Sequence, residues 1–85
     1  MADVRSRSTD RESDGIVFGR HLRELRLAKG LTQSKLAERI DSNYPFISNM
    51  ERGLMLPGLA MLVRLADALE CNVSELVRVL DRRRG

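Results

Sequence analysis

Residues 31–53, LTQSKLAERIDSNYPFISNMERG, decide how this 85-residue chain is read. Thr32 is a good N-cap residue, and Leu36, Ala37 and Ile40 follow it as an apolar stripe at helical spacing. Together they predict a helix from Gln33 to about Ile40. Leu31, just ahead of the cap, is placed to pack back onto that helix. Asp41-Ser42-Asn43 is a turn cluster whose side chains can bond local backbone, and Asp or Asn tolerates a left-handed conformation at such a corner. Asn43 caps a second helix, Tyr44 to about Glu51, with Pro45 in the first turn where a missing N–H costs nothing. Ile47 and Met50 form its inner side, Tyr44, Pro45, Ser48 and Asn49 form one polar and aromatic edge, and Gly53 ends it. The stretch therefore reads as two short helices around a tight turn.

The flanks read as support for that pair. Upstream, Val17/Phe18, Leu22, Leu25 and Leu27/Ala28 predict a helix from about Ile16 to Lys29, with Asp14 as its cap and Gly30 as its stop. Downstream, Leu54-Met55-Leu56-Pro57-Gly58 is unusually apolar for a loop. It is read either as a cluster folded under the domain or as an exposed patch for a protein partner. A helix from Leu59 to about Glu70 follows. It is apolar over a wide arc and is expected to be the central helix of the core. Asn72 ends it, and Ser74 caps a fifth helix, Glu75 to about Asp81, carrying Leu76, Val77, Val79 and Leu80. The expected organisation is a flexible polar arm over 1–15, one helical domain over 16–81, and a basic tail over 82–85.

Composition bounds the function. The chain has room for one small domain, and abundant Leu, Ala, Arg and Glu with only 4% aromatic residues is a helical composition. The net charge is +3, and it is unevenly spread: residues 1–14 carry three arginines against four acids, leaving +4 on the remainder. Such a balance is compatible with nucleic acid without demonstrating it. The single cysteine, Cys71, permits no internal disulfide and suits a reducing cytoplasm. No apolar run approaches the roughly 18 residues of a membrane span. His21 has no second ligand candidate near it in sequence and is read as a helix-surface residue, not a metal site. No nucleophile–base set, metal-ligand pair or phosphate loop is present, so neither catalysis nor a cofactor is expected.

From about Val17 to Leu80 the chain resembles the five-helix DNA-binding domains of the lambdoid repressor and Cro group. It resembles also their XRE-type bacterial relatives, among them the small controller proteins of restriction–modification systems. The residues that carry the resemblance are Leu31-Thr32-Gln33, Leu36-Ala37-Glu38-Arg39-Ile40, Ile47-Ser48 and Glu51-Arg52-Gly53. Beyond them match Pro57, Leu62, Leu65-Ala66, Ala68-Leu69, Val73-Ser74 and Glu75-Leu76. The resemblance implies an all-α, compact lambda-repressor-like fold with a helix-turn-helix. It implies phosphate contacts from Thr32, Gln33 and Arg52, with Arg23 a further candidate, and a partly buried salt bridge between Arg26 and Glu51. Asp41 stands where relatives carry glycine, Pro45 replaces a base-reading amide, and Leu-Met-Leu replaces the usual basic loop.

The chemistry of the recognition edge agrees. Asn49 can pair with adenine, Ser48 with several bases, Tyr44 with a base or phosphate, and the Pro45 ring with a thymine methyl. The alternative for that edge is a merely solvated face. The expected function is a cytoplasmic, prokaryotic or phage-encoded regulator that binds a roughly palindromic stretch of double-stranded DNA as a homodimer. Val77, Val79 and Leu80, with part of the fourth helix, are expected at the two-fold. Two alternatives stay open: an antitoxin-type module that grips a protein through Leu54, Met55 and Leu56 or through the fifth helix, and an adaptor that binds protein only.

Overall fold

The computed structural model describes residues 13–84. Five helices follow one another: α1 Asp14–Ala28, α2 Gln33–Arg39, α3 Tyr44–Glu51, α4 Leu59–Ala68 and α5 Val73–Val77, with a 3-10 segment over Arg78–Arg84. No strand occurs among the described residues, and the fold is all-α. Residues 1–12 of the expected arm and the terminal Gly85 lie outside the described residues. Asp14 and Gly15, also assigned to the arm, are the first residues of α1.

Side-chain caps set most of the helix starts. Thr32 and Asn43 accept from the backbone N–H of Lys35 and Phe46, at 3.0 and 3.1 Å. Two expected caps are displaced by a neighbour. Ser13, not Asp14, receives the Ile16 N–H at 3.2 Å, and Asp14 instead places its charge in the first turn, where the helix dipole favours it. Asn72, not Ser74, caps the last helix: its Oδ1 accepts from Glu75 N–H at 3.0 Å and from the Ser74 hydroxyl at 2.8 Å. That cap starts α5 two residues early, and the helix gives way at Arg78 to the 3-10 segment.

The helix ends share one device. After α1 to α4 the chain turns through a left-handed residue: Gly30, Asp41, Gly53 and Glu70, with φ of 72°, 57°, 81° and 58°. The next N–H then reaches back to the carbonyl five residues earlier, as in Leu31 to Arg26 (3.1 Å) and Ser42 to Ala37 (2.9 Å). This satisfies carbonyls that the helix end leaves open. Asp41 makes the tight turn between α2 and α3 with a side chain where a glycine would be unstrained.

The core is built from Phe18 and Leu22 of α1, Leu36, Ala37 and Ile40 at α2, Ile47 and Met50 of α3, Leu65, Ala66, Ala68 and Leu69 at the end of α4, and Leu76 of α5. α1 packs on α3 and α5, and α2 packs on α3. The expectation that α4 is the central helix is overturned. Its fully buried residues all lie in its C-terminal half, Met61 and Leu62 pack against the core only in part, and Leu59 and Val63 are 73% and 46% exposed. The arc of apolar residues is wider than the surface available to cover it. Two arginines clip α4 to α2: Arg39 donates to the Ala68 carbonyl at 3.0 Å, and Arg64 reaches the Ile40 carbonyl at 3.5 Å. Each serves the negative end of a helix.

His21 is likewise not on the surface. It is 6% exposed, and its Nε2 lies 2.8 Å from the Glu75 carbonyl oxygen. A carbonyl only accepts, so Nε2 carries the hydrogen and α1 is tied to α5. The apolar loop divides: Met55 packs against the core, while Leu54 and Leu56 are exposed.

Candidate nucleic-acid interface

The site is organised by a close crossing of α1 over the end of α3. Gly15, Gly19, Leu22 and Arg26 recur at four- and three-residue steps and so share one face of α1. A β-carbon placed on Gly19 would overlap the carbonyl oxygen of Met50 and lie 2.6 Å from that of Glu51. One placed on Gly15 would lie 2.8 Å from the Gly53 carbonyl oxygen. The missing side chains let two backbones touch. About two turns beyond Gly19 on the same face, Arg26 is brought to Glu51.

That pair is buried and fully engaged. Arg26 Nε donates to Glu51 Oε2 at 2.6 Å, and Nη2 donates to Oε1 at 3.0 Å, a two-pronged bridge whose side chains are only 8% and 4% exposed. Arg26 Nη1 also donates to the Leu31 carbonyl at 2.7 Å. Gln33, the first residue of α2, donates its side-chain amide to Glu51 Oε1 at 3.1 Å. One carboxylate thus joins α1, the start of α2 and the end of α3, and it fixes the angle at which α3 is presented. The arginine supplies the donors that a buried carboxylate needs.

Against this joint lies a groove of about 660 Å³, lined by Arg23, Arg26, Thr32, Gln33, Ser34, Tyr44, Ser48, Glu51 and Arg52. All four candidate phosphate contacts, Arg23, Thr32, Gln33 and Arg52, meet here with Tyr44 and Ser48. Thr32 spends its hydroxyl on Lys35, which leaves the first-turn backbone N–H groups of Gln33 and Ser34 without a partner among the described residues. Arg23 and Arg52 are exposed, and neither guanidinium pairs with another described residue. The groove is therefore edged by two unneutralised cations, with Arg26 neutralised at its floor. Pro45 and Asn49 do not line it. They lie on the neighbouring edge of α3, Pro45 exposed and Asn49 half-buried.

Comparison with known proteins agrees with this geometry. The helix-turn-helix family model matches residues 22–76, from the middle of α1 into α5. The chain belongs to the XRE-type helix-turn-helix family of DNA-binding transcriptional regulators. A relative in Bacillus subtilis, the uncharacterized HTH-type transcriptional regulator YazB, is 33% identical over 60 residues, covering 71% of this chain and 87% of its own. Among solved structures, the restriction-modification controller protein C.AhdI of Aeromonas hydrophila is 40% identical with a TM-score of 0.72, over 74% of this chain and 91% of that one. The clp gene regulator ClgR of Corynebacterium glutamicum is 25% identical with a TM-score of 0.77, over 84% and 91%. The matched span contains the Arg26–Glu51 joint and the whole groove.

Sequence reasoning missed two parts of this site. It passed over the glycine face of α1, although Gly15 and Gly19 sit in register with Arg26. It did not find the bond from Gln33 to Glu51, which needs the fold. The residues expected at a two-fold, Val77, Val79 and Leu80, fall on two elements, the end of α5 and the 3-10 segment, and all three are half-buried. No helix among the described residues is long and apolar enough to cross a membrane.

Proposed function

We propose that this chain binds a roughly palindromic DNA operator as a homodimer and regulates transcription from it. α3 is the recognition helix and enters the major groove, offering Pro45 and Asn49 on one edge and Tyr44 and Ser48 on the neighbouring one. Arg23, Arg52 and the start of α2 seat the module on the sugar–phosphate backbone. The observation that carries this reading is the groove itself. Two cations and the backbone N–H groups at the start of α2, all without partners among the described residues, converge with the first turn of α3 on one concave surface. An anionic strand satisfies all of them together.

One module of this size makes few base contacts, so useful specificity calls for two. The two-fold is assigned to Val77, Val79 and Leu80, joined by the outward face of α4. Sedimentation at micromolar concentration, with and without operator DNA, tests this: a dimer is expected, and a monomer under both conditions contradicts it. A mobility shift that is sequence-selective and weakens steeply with salt is the expected result for the DNA reading. Equal binding to all sequences contradicts it.

A second reading is favoured by one observation, the exposure of Leu54 and Leu56 just beyond α3. In it the same DNA-binding module also grips a protein, as an antitoxin does. A stoichiometric partner retained through purification from the native cell, and lost on Leu54→Ser/Leu56→Ser, is its signature.

A further inference from the structure

Resting on the DNA-binding reading, we infer that the edge of α3 is split between two roles. Tyr44 clamps the backbone without regard to sequence, and base choice is left to Pro45 and Asn49. Three observations on Tyr44 carry this. First, Tyr44 lines the groove that it shares with Arg23, Thr32, Gln33, Ser34 and Arg52, whereas Pro45 and Asn49 do not. A side chain in one concavity with the end of α1 and the start of α2 faces what those elements face. In a helix-turn-helix complex they lie over the sugar–phosphate strand, not over the base edges.

Second, Tyr44, Ser48 and Arg52 stand at successive four-residue steps and so form one row along α3. Pro45 and Asn49 form the adjacent row, displaced by one residue, or about 100° of helix rotation. That row ends in Arg52, whose guanidinium pairs with no other described residue and suits a phosphate oxygen. Third, Tyr44 is 53% exposed, and its hydroxyl has no hydrogen-bond partner among the described residues. A phenol donates one hydrogen, which suits a phosphate oxygen, and it lacks the paired donor and acceptor by which an amide singles out adenine. Asn49 has that pair, and the Pro45 ring offers an apolar face to a thymine methyl. Ser48 sits in the clamping row with a hydroxyl that suits either acceptor.

The test uses the full-length chain and two variants, Tyr44→Phe and Asn49→Ala. Each is measured on the best site obtained from random DNA and on every single base-pair substitution of its half-site. Tyr44→Phe, which removes only the hydroxyl, is expected to weaken binding about tenfold on all of these sequences alike, with an unchanged thermal melt. Asn49→Ala is expected to flatten discrimination at one base pair. Relaxed preference at a single base pair in Tyr44→Phe, or no loss of affinity, overturns this split of roles while the DNA-binding reading stands. Absence of any selective site for the wild-type protein overturns both.

Discussion

Replacing Glu51 by Ala is expected to cost this domain about 3–5 kcal/mol, because it strands Arg26 in the interior. The figure follows from the geometry. The two side chains are 8% and 4% exposed, and the carboxylate accepts two hydrogen bonds from Arg26 and a third from Gln33. Without it, Arg26 keeps only the Leu31 carbonyl, and two of its donor nitrogens face no acceptor. A small domain holds roughly 0.05–0.15 kcal/mol per residue, or about 4–13 kcal/mol for 85 residues, so the loss takes from about a quarter to the whole of the total. The measurement is urea unfolding followed by far-UV circular dichroism, with the midpoint falling sharply at a little-changed slope. The double variant Arg26→Met/Glu51→Leu removes both charges and keeps the bulk. It should recover most of the loss, since an apolar pair of similar volume is often as stable as a buried ion pair. An unchanged midpoint for Glu51→Ala would refute the reasoning, as would a double variant no better than the single one.

Further expectations come from other parts of the joint. Gly19→Ala pushes α1 off the carbonyls of Met50 and Glu51, and an overpacking cost of about 1–3 kcal/mol should outweigh the roughly 1 kcal/mol gained in helix propensity. A melting temperature at or above that of the wild type would show that the crossing is not tight. Asp41→Gly relieves a left-handed residue at φ 57° and should raise stability by about 0.5–1 kcal/mol in the same unfolding assay; a loss would mean that the Asp side chain holds the turn. Arg52→Ala should weaken binding to all DNA sequences alike and lower the slope of log K against log salt by about one per protomer, and an unchanged slope would remove Arg52 from the phosphate contacts.

Much of the fold is legible because its signals are local. Thr32 and Asn43 cap the helices they precede, Leu36, Ala37, Ile40, Ile47 and Met50 mark the buried side of the pair, and Asp41 carries the turn in a conformation that Asp tolerates. What was not legible depends on distant surfaces. His21 is buried because α5, 54 residues away, lies over it. The apolar arc of α4 does not reveal which of its residues the other helices cover, and Leu59 and Val63 on that arc are exposed. Asn72 and Ser74 are both competent caps, and which one starts α5 is settled only by where the Glu75 N–H falls. The site divides in the same way. The Arg26–Glu51 pairing is implied by family resemblance and Gly15 and Gly19 by register with Arg26, but only the folded chain shows Gln33 as the third arm of the joint. Only there, too, does Tyr44 part from Pro45 and Asn49.

The most direct test of the central claim is selection of bound sequences from random double-stranded DNA by the purified chain, repeated with Asn49→Ala. Enrichment of two inverted half-sites about one helical turn apart is the predicted result, with discrimination lost at one position of each half-site in the variant and a cost of about 1–3 kcal/mol on the best site. No enrichment over the starting pool, or the same profile from both proteins, would contradict it.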